Sequence, residues 1–141
     1  MNGTARLRGR ARTIGWRGGQ RGSAALELAM VLPLLLVVTL ALVQVGVFVR
    51  DRLVLADAAR AGAREAAVTD DAGRIRDAVD RAGSPLDTDR IDMRVERDGG
   101  RGEPVTVSLA YPDPPAIPAV RWLFPDTVRL EAATTMRQEF G

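Results

Sequence analysis

The chain has 141 residues, 20 basic and 18 acidic side chains, a net charge of +2, and neither histidine nor cysteine. Every basic residue is an arginine. Disulfides, thiol chemistry and the usual zinc sites are excluded by the missing cysteine and histidine, as is a Ser-His-Asp triad. The missing lysine removes Schiff-base chemistry.

Residues 1–22 carry Arg6, Arg8, Arg10, Arg12, Arg17 and Arg21 and no acid. Rich in glycine and arginine, this stretch reads as a disordered, basic cytoplasmic leader. Residues 50–141 hold 14 arginines against 17 acids. Under the positive-inside rule that asymmetry puts the N-terminus in the cytoplasm and the rest of the chain outside. Arginines flanking an apolar run, with no aromatic residue among them but Trp16, give no reason to expect a nucleic-acid partner.

A helix signal runs from Ser23 to about Val68. Within it, residues 28–49 contain no charge, and 15 of these 22 residues are Leu, Val or Phe. They favour membrane insertion by about 4–9 kcal/mol. At ~1.5 Å per residue the run is about 33 Å long, against a hydrocarbon core of ~30 Å. A secretory signal has an apolar region of only roughly 7–15 residues, so this run is expected to remain as an anchor. Glu27 stands at its entrance, where a carboxylate opposes insertion. Pro33 is a tolerable kink in a membrane helix, and Gly46 is small enough for close helix contact. Beyond Arg50 the helix continues as strong formers, with Ala56, Ala59, Ala63 and Ala67 on one narrow apolar face and Asp57 within reach of Arg60. A bend or break at Pro33 or Gly62 is left open. Such a helix reads as a shaft with a head at one end.

Thr69-Asp70-Asp71 offers an N-cap for a second helix, with Ala72, Ile75, Val79 and Ala82 on one face and Gly83-Ser84-Pro85 as its stop. Residues 91–97 alternate as a half-buried strand, Ile91, Met93 and Val95 facing in. Residues 98–102 are a turn, and Val105, Val107 and Leu109 belong to the return strand. Residues 111–118 read as a rigid proline-rich connection and 119–124 as a short helical turn. Trp122 and Phe124 are expected to plug the core of the head. Residues 127–138 alternate again, with Val128, Leu130, Ala132, Thr134 and Met136 on one face. The expected fold class is α+β: a long N-terminal membrane-spanning helix (residues 23–68) continuing into a head (69–141) with a second helix and a three-stranded antiparallel sheet. Asp87, Asp89 and Asp92 lack the glycine and distal glutamate of a calcium loop, so neither a metal nor another cofactor is expected.

Residues 21–29 read Arg-Gly-Ser-Ala-Ala-Leu-Glu-Leu-Ala, followed by Leu32-Pro33-Leu34-Leu35, Val45-Gly46 and the 58–64 stretch Ala-Ala-Arg-Ala-Gly-Ala-Arg. Together they resemble the TadE-like family, pilin-related membrane proteins of the tight-adherence, Flp-type system. Leu130 and the closing Met136-Arg137-Gln138-Glu139 are similar less specifically. The resemblance implies cleavage of the Gly22–Ser23 bond by a prepilin peptidase, an aspartic protease acting at the cytoplasmic face of the membrane. Glu27 then becomes the fifth residue of the mature chain, a candidate assembly carboxylate for a neighbouring subunit's free amine. The main pilin of such systems carries an aromatic residue after the glutamate. Here that residue is Leu28, and a head is added. Both departures point to a minor pilin or pseudopilin.

The function expected is that of a non-enzymatic subunit for assembling a Flp-type pilus or its secretion machinery. Its partners would be the membrane, the prepilin peptidase, other pilin or pseudopilin subunits and the tight-adherence platform. Two alternatives stand beside it. One is a single-pass anchor presenting a small extracytoplasmic binding domain. The other is a membrane-tethered enzyme, for which only Asp- or Ser-based chemistry survives the composition.

Overall fold

A computed structural model describes residues 19–140, with side chains from residue 24 onward. Its elements are α1 (Gly19–Val68), α2 (Ala72–Ala82), β1 (Asp92–Arg97), β2 (Pro104–Asp113) and β3 (Val128–Arg137), with 3-10 turns at Thr88–Arg90 and Pro118–Leu123. The fold is α+β. The chain divides into two compact units, one up to Leu35 and one from Leu36.

The first unit contains the N-terminal part of α1, whose side chains from residue 24 to 35 are all exposed. The helix begins at Gly19, four residues before Ser23, so residues 19–22 are helical and not disordered as the glycines suggest. Gly19 and Gly22 each weaken a helix by only about 1 kcal/mol relative to alanine, a preference that neighbouring structure overrides. The helix is continuous through Pro33 and Gly62.

The second unit is built on the C-terminal part of α1. Leu55, Ala58, Ala59, Ala63, Ala66 and Ala67 are all buried there. That stripe is two residues wide, broader than the single alanine row predicted, and Ala56 is only half-buried. Small side chains let the helix approach its neighbours closely. At Gly62 a Cβ would lie 2.6 Å from Val79 Cγ2 and 3.3 Å from Val107 Cγ1, so the position accepts only glycine without movement.

Asp71 caps α2 as predicted, its carboxylate accepting from the backbone N–H of Gly73 (2.8 Å) and Arg74 (3.4 Å). Ile75, Ala78 and Val79 face inward. Ala72 is exposed, contrary to the predicted face, because a residue in the first turn lies at the edge of the contact. Arg76 ties α2 to the next segment by donating to Ile91 O (3.0 Å) and Thr88 O (2.6 Å).

The sheet is an antiparallel meander in the order β1-β2-β3. Its register pairs Val95 with Val107 and Val107 with Thr134, which aligns the apolar rows of all three strands. Val105, Val107, Leu109 and Tyr111 of β2 and Leu130 of β3 are buried in the core beside α1 and α2. The other face is polar, with Asp92, Arg94, Glu96, Ser108, Arg129 and Glu131 lining a shallow groove. Gly102, at φ 90°, supplies the left-handed residue of the β1–β2 turn.

Two predicted features are corrected. The segment from Tyr111 to Asp113 is strand, not connection. β1 pairs with β2 only as far as Ala110. Pro112 accepts a hydrogen bond from Arg90 through its carbonyl, so its ring nitrogen faces the same side, where no strand requires a donor. Trp122 is not a core plug: it is 73% exposed. Val120, two residues earlier in the same turn, is the wholly buried side chain.

Candidate functional site along the apolar helix

The residues singled out by sequence lie along α1. Gly22 closes the first turn of α1 and Ser23 opens the second. Glu27 follows one turn later with its side chain exposed. Arg21 is also on α1, whereas Arg6, Arg8, Arg10, Arg12 and Arg17 lie outside the described residues. Leu26, Leu28, Met30, Leu32, Leu34 and Leu36 are each more than half exposed. Pro33 stands among them, and a Cβ built at Gly46 meets nothing within 4 Å. Among the described residues, α1 is the one helix long and apolar enough to cross a membrane.

Within the uncharged run lies a polar side chain that composition does not single out, with apolar side chains exposed beyond it at Val45 and Val49. Gln44 is wholly buried, and its Oε1 accepts from the backbone N–H of Ile117 at 2.9 Å. Four residues on, Phe48 meets the edge of Phe124, with ring centroids 5.7 Å apart and planes at 72°. Asp51 and Leu55, both buried, continue the line. Positions 44, 48, 51, 55, 59 and 62 recur at helical spacing, so one face of α1 carries the packing surface back into the uncharged run. The signal was present: a glutamine amid aliphatic residues needs a partner, since an unpaired amide away from water costs several kcal/mol.

Asp51 also faces Asp113, at the end of β2. Burial pushes the Asp113 carboxyl above its ordinary value of 3.8, the charge of Asp51 adds to the rise, and Arg90 opposes it. Its Oδ2 has no hydrogen-bond partner.

The far end of α1 is held by residues distant in sequence. Arg97, on β1, donates to Ala66 O (2.9 Å), Thr69 O (2.9 Å) and Gln138 Oε1 (3.0 Å), with its guanidinium 5.4 Å from the centre of the Phe140 ring. Glu139 N–H donates to Ala67 O at 2.8 Å. α1 has no basic residue in its own last turn, and Arg97 supplies that charge and those donors from the sheet.

Residues 22–64 match the family model for TadE-like protein. The TadE-like segment opens at the glycine before Ser23, includes Glu27, Pro33 and Gly46, and ends at Arg64, four residues short of the end of α1. It covers the part of the chain on which the sequence resemblance rests, and α2 and the sheet lie beyond it. With its single apolar helix among the described residues, the match points to a Tad pilus-related membrane protein. Searches of curated proteins and of solved structures found no match.

Proposed function

We propose that this chain is a minor pilin or pseudopilin subunit that helps assemble a Flp-type pilus or its secretion machinery. The observation that carries the reading is the bare apolar surface of α1 within the TadE-like segment. From residue 24 to 36 every side chain is exposed, so lipid or the helices of other subunits must cover this surface. The six leader arginines favour a cytoplasmic N-terminus, and the head is then extracytoplasmic.

Cleavage between Gly22 and Ser23 fits this arrangement. A protease binds extended backbone, and the first turn of α1 holds two glycines that make local unwinding easy. The cut frees the Ser23 amine, positive at neutral pH. In a helix bundle, Glu27 of one subunit pairs with that amine on the next, offsetting part of the cost of a carboxylate in the bilayer. Pro33 and Gly46 then serve lateral packing, the glycine leaving a shallow place for a neighbouring helix. The partners are the prepilin peptidase, other pilin-like subunits and the tight-adherence platform, and the role is structural, not catalytic.

The test is co-expression with a prepilin peptidase and mass spectrometry of the mature N-terminus. The reading requires a chain that starts at Ser23. An intact N-terminus, unaffected by Gly22 substitution, favours a plain single-pass anchor instead. Glu27→Ala is expected to leave membrane insertion unchanged and to reduce recovery with partner pilins. Unchanged recovery removes the assembly role of that carboxylate.

A further inference from the structure

We propose that the Pro118–Leu123 turn seats in the outer lipid–water interface of the membrane that α1 crosses, with Trp122 and Leu123 as its anchors. The inference rests on the membrane-spanning reading of α1 and adds a second point of contact between the protein and the lipid.

Trp122 is 73% exposed and Leu123 44% exposed, adjacent on one turn, a costly use of large apolar side chains if water surrounds them. The indole N–H of Trp122 donates within the turn, to Ala119 O at 3.2 Å, which leaves the ring's apolar surface outward. Two contacts fix the level of this turn along α1: Ile117 on Gln44, and Phe124 on Phe48.

That level coincides with the edge of the bilayer. Twenty residues at ~1.5 Å each make ~30 Å, the thickness of the hydrocarbon core. Counted from Leu28, where the uncharged run begins, the core ends at about residue 47. The headgroup layer adds several Å on each side, which is the rise of residues 48–52 at ~1.5 Å each. The turn is therefore tied to α1 across the edge of the hydrocarbon core, at Gln44 just inside it and at Phe48 where the headgroup layer begins. Tryptophan is enriched there because its ring is apolar and its N–H polar. Arg121, exposed on the same turn, and Arg50 and Arg52, exposed just beyond on α1, can extend their guanidinium groups to lipid phosphates. Lipid is favoured over a protein partner by continuity: the turn extends the apolar surface of α1 at the height where lipid already meets it.

The experiment uses the full chain with Trp16→Phe, so that Trp122 is the remaining tryptophan. The protein is reconstituted in phosphatidylcholine–phosphatidylglycerol vesicles, some containing lipids brominated on the acyl chain near the headgroup. The expected result is blue-shifted Trp122 emission, strong quenching by the brominated lipid and several-fold weaker quenching by aqueous acrylamide than for free tryptophan. Full acrylamide access without bromolipid quenching overturns the proposal, and so does protection from both quenchers, which indicates a protein neighbour. Alkaline extraction of the same vesicles separates the two readings. A chain that stays with the lipid while Trp122 reports water leaves the span intact and removes only the interfacial turn. A chain that washes off removes both.

Discussion

Gly62 is the residue where packing tolerates least. A methyl group there meets Val79 Cγ2 at 2.6 Å. Overpacking of this kind costs about 1–3 kcal/mol, while replacing a helix-interior glycine by alanine gains about 1 kcal/mol. The first effect wins when the neighbour is a stiff β-branched side chain, so Gly62→Ala is expected to lower the thermal midpoint of the head. Adding Val79→Ala removes the clashing methyl. The double-mutant cycle should then show favourable coupling of about 1 kcal/mol, and strict additivity would mean that the contact is not the cause. Asp113 is the second residue with a measurable signature. Its raised native pKa means that the folded head binds this proton more tightly than the unfolded chain does. The contribution is fully present below the ordinary value of 3.8 and is lost as pH rises through the raised native value. Asp113→Asn should therefore raise the thermal midpoint at pH 7, and the gain should shrink as the pH is lowered toward 3. A constant gain across that range would exclude titration of this group as its source.

At the scale of elements, α1 is governed by its two ends. Its C-terminal carbonyls depend on Arg97, which reaches them from β1. Charge-assisted hydrogen bonds contribute about 1.5–3 kcal/mol, so Arg97→Met is expected to destabilise the head by about 2 kcal/mol and to speed amide hydrogen exchange in the last turn of α1. Loss of stability without faster exchange there would place the effect elsewhere. At the other end, the proposed cleavage requires the first turn to open. Gly19→Ala leaves the Gly22–Ser23 bond untouched while favouring helix by about 1 kcal/mol. If unwinding precedes cutting, peptidase processing should slow by up to about fivefold, the rate equivalent of that energy. An unchanged rate would show that the turn is already open when the enzyme binds. For α2, loss of the Asp71 cap in Asp71→Ala should cost about 1 kcal/mol.

For the whole molecule, every side chain of α1 between residues 24 and 36 is exposed, while the sheet's core face is closed by the alanine stripe of the same helix. One element therefore serves two environments. Its character changes at Gln44, where the amide binds Ile117 in place of water. Gln44→Leu keeps the volume and improves lipid compatibility but leaves the Ile117 N–H without its acceptor. It should spare insertion and loosen the Pro118–Leu123 turn, read as greater acrylamide access to Trp122. Unaltered access would show that the Phe48–Phe124 contact holds the turn alone.

Periodicity and composition alone determined the long apolar helix, the capped second helix, three alternating strands and the α+β class. Those features follow from local preference and from the spacing of apolar residues, which a linear chain displays directly. The Gly22-Ser23…Glu27 pattern and its family resemblance were legible for the same reason. Tertiary structure decided what depends on residues far apart in the chain. Gln44 became the start of the packing stripe because Ile117 lies against it, and Arg97 became the cap of a helix 31 residues upstream at Ala66. Tyr111 joined a strand because β3 pairs with it and Arg90 covers Pro112. On the Pro118–Leu123 turn Val120 is the side chain buried and Trp122 the one left outward. A side chain's environment is set by what folds against it, and hydrophobicity by itself does not distinguish a residue that faces the core from one that faces lipid.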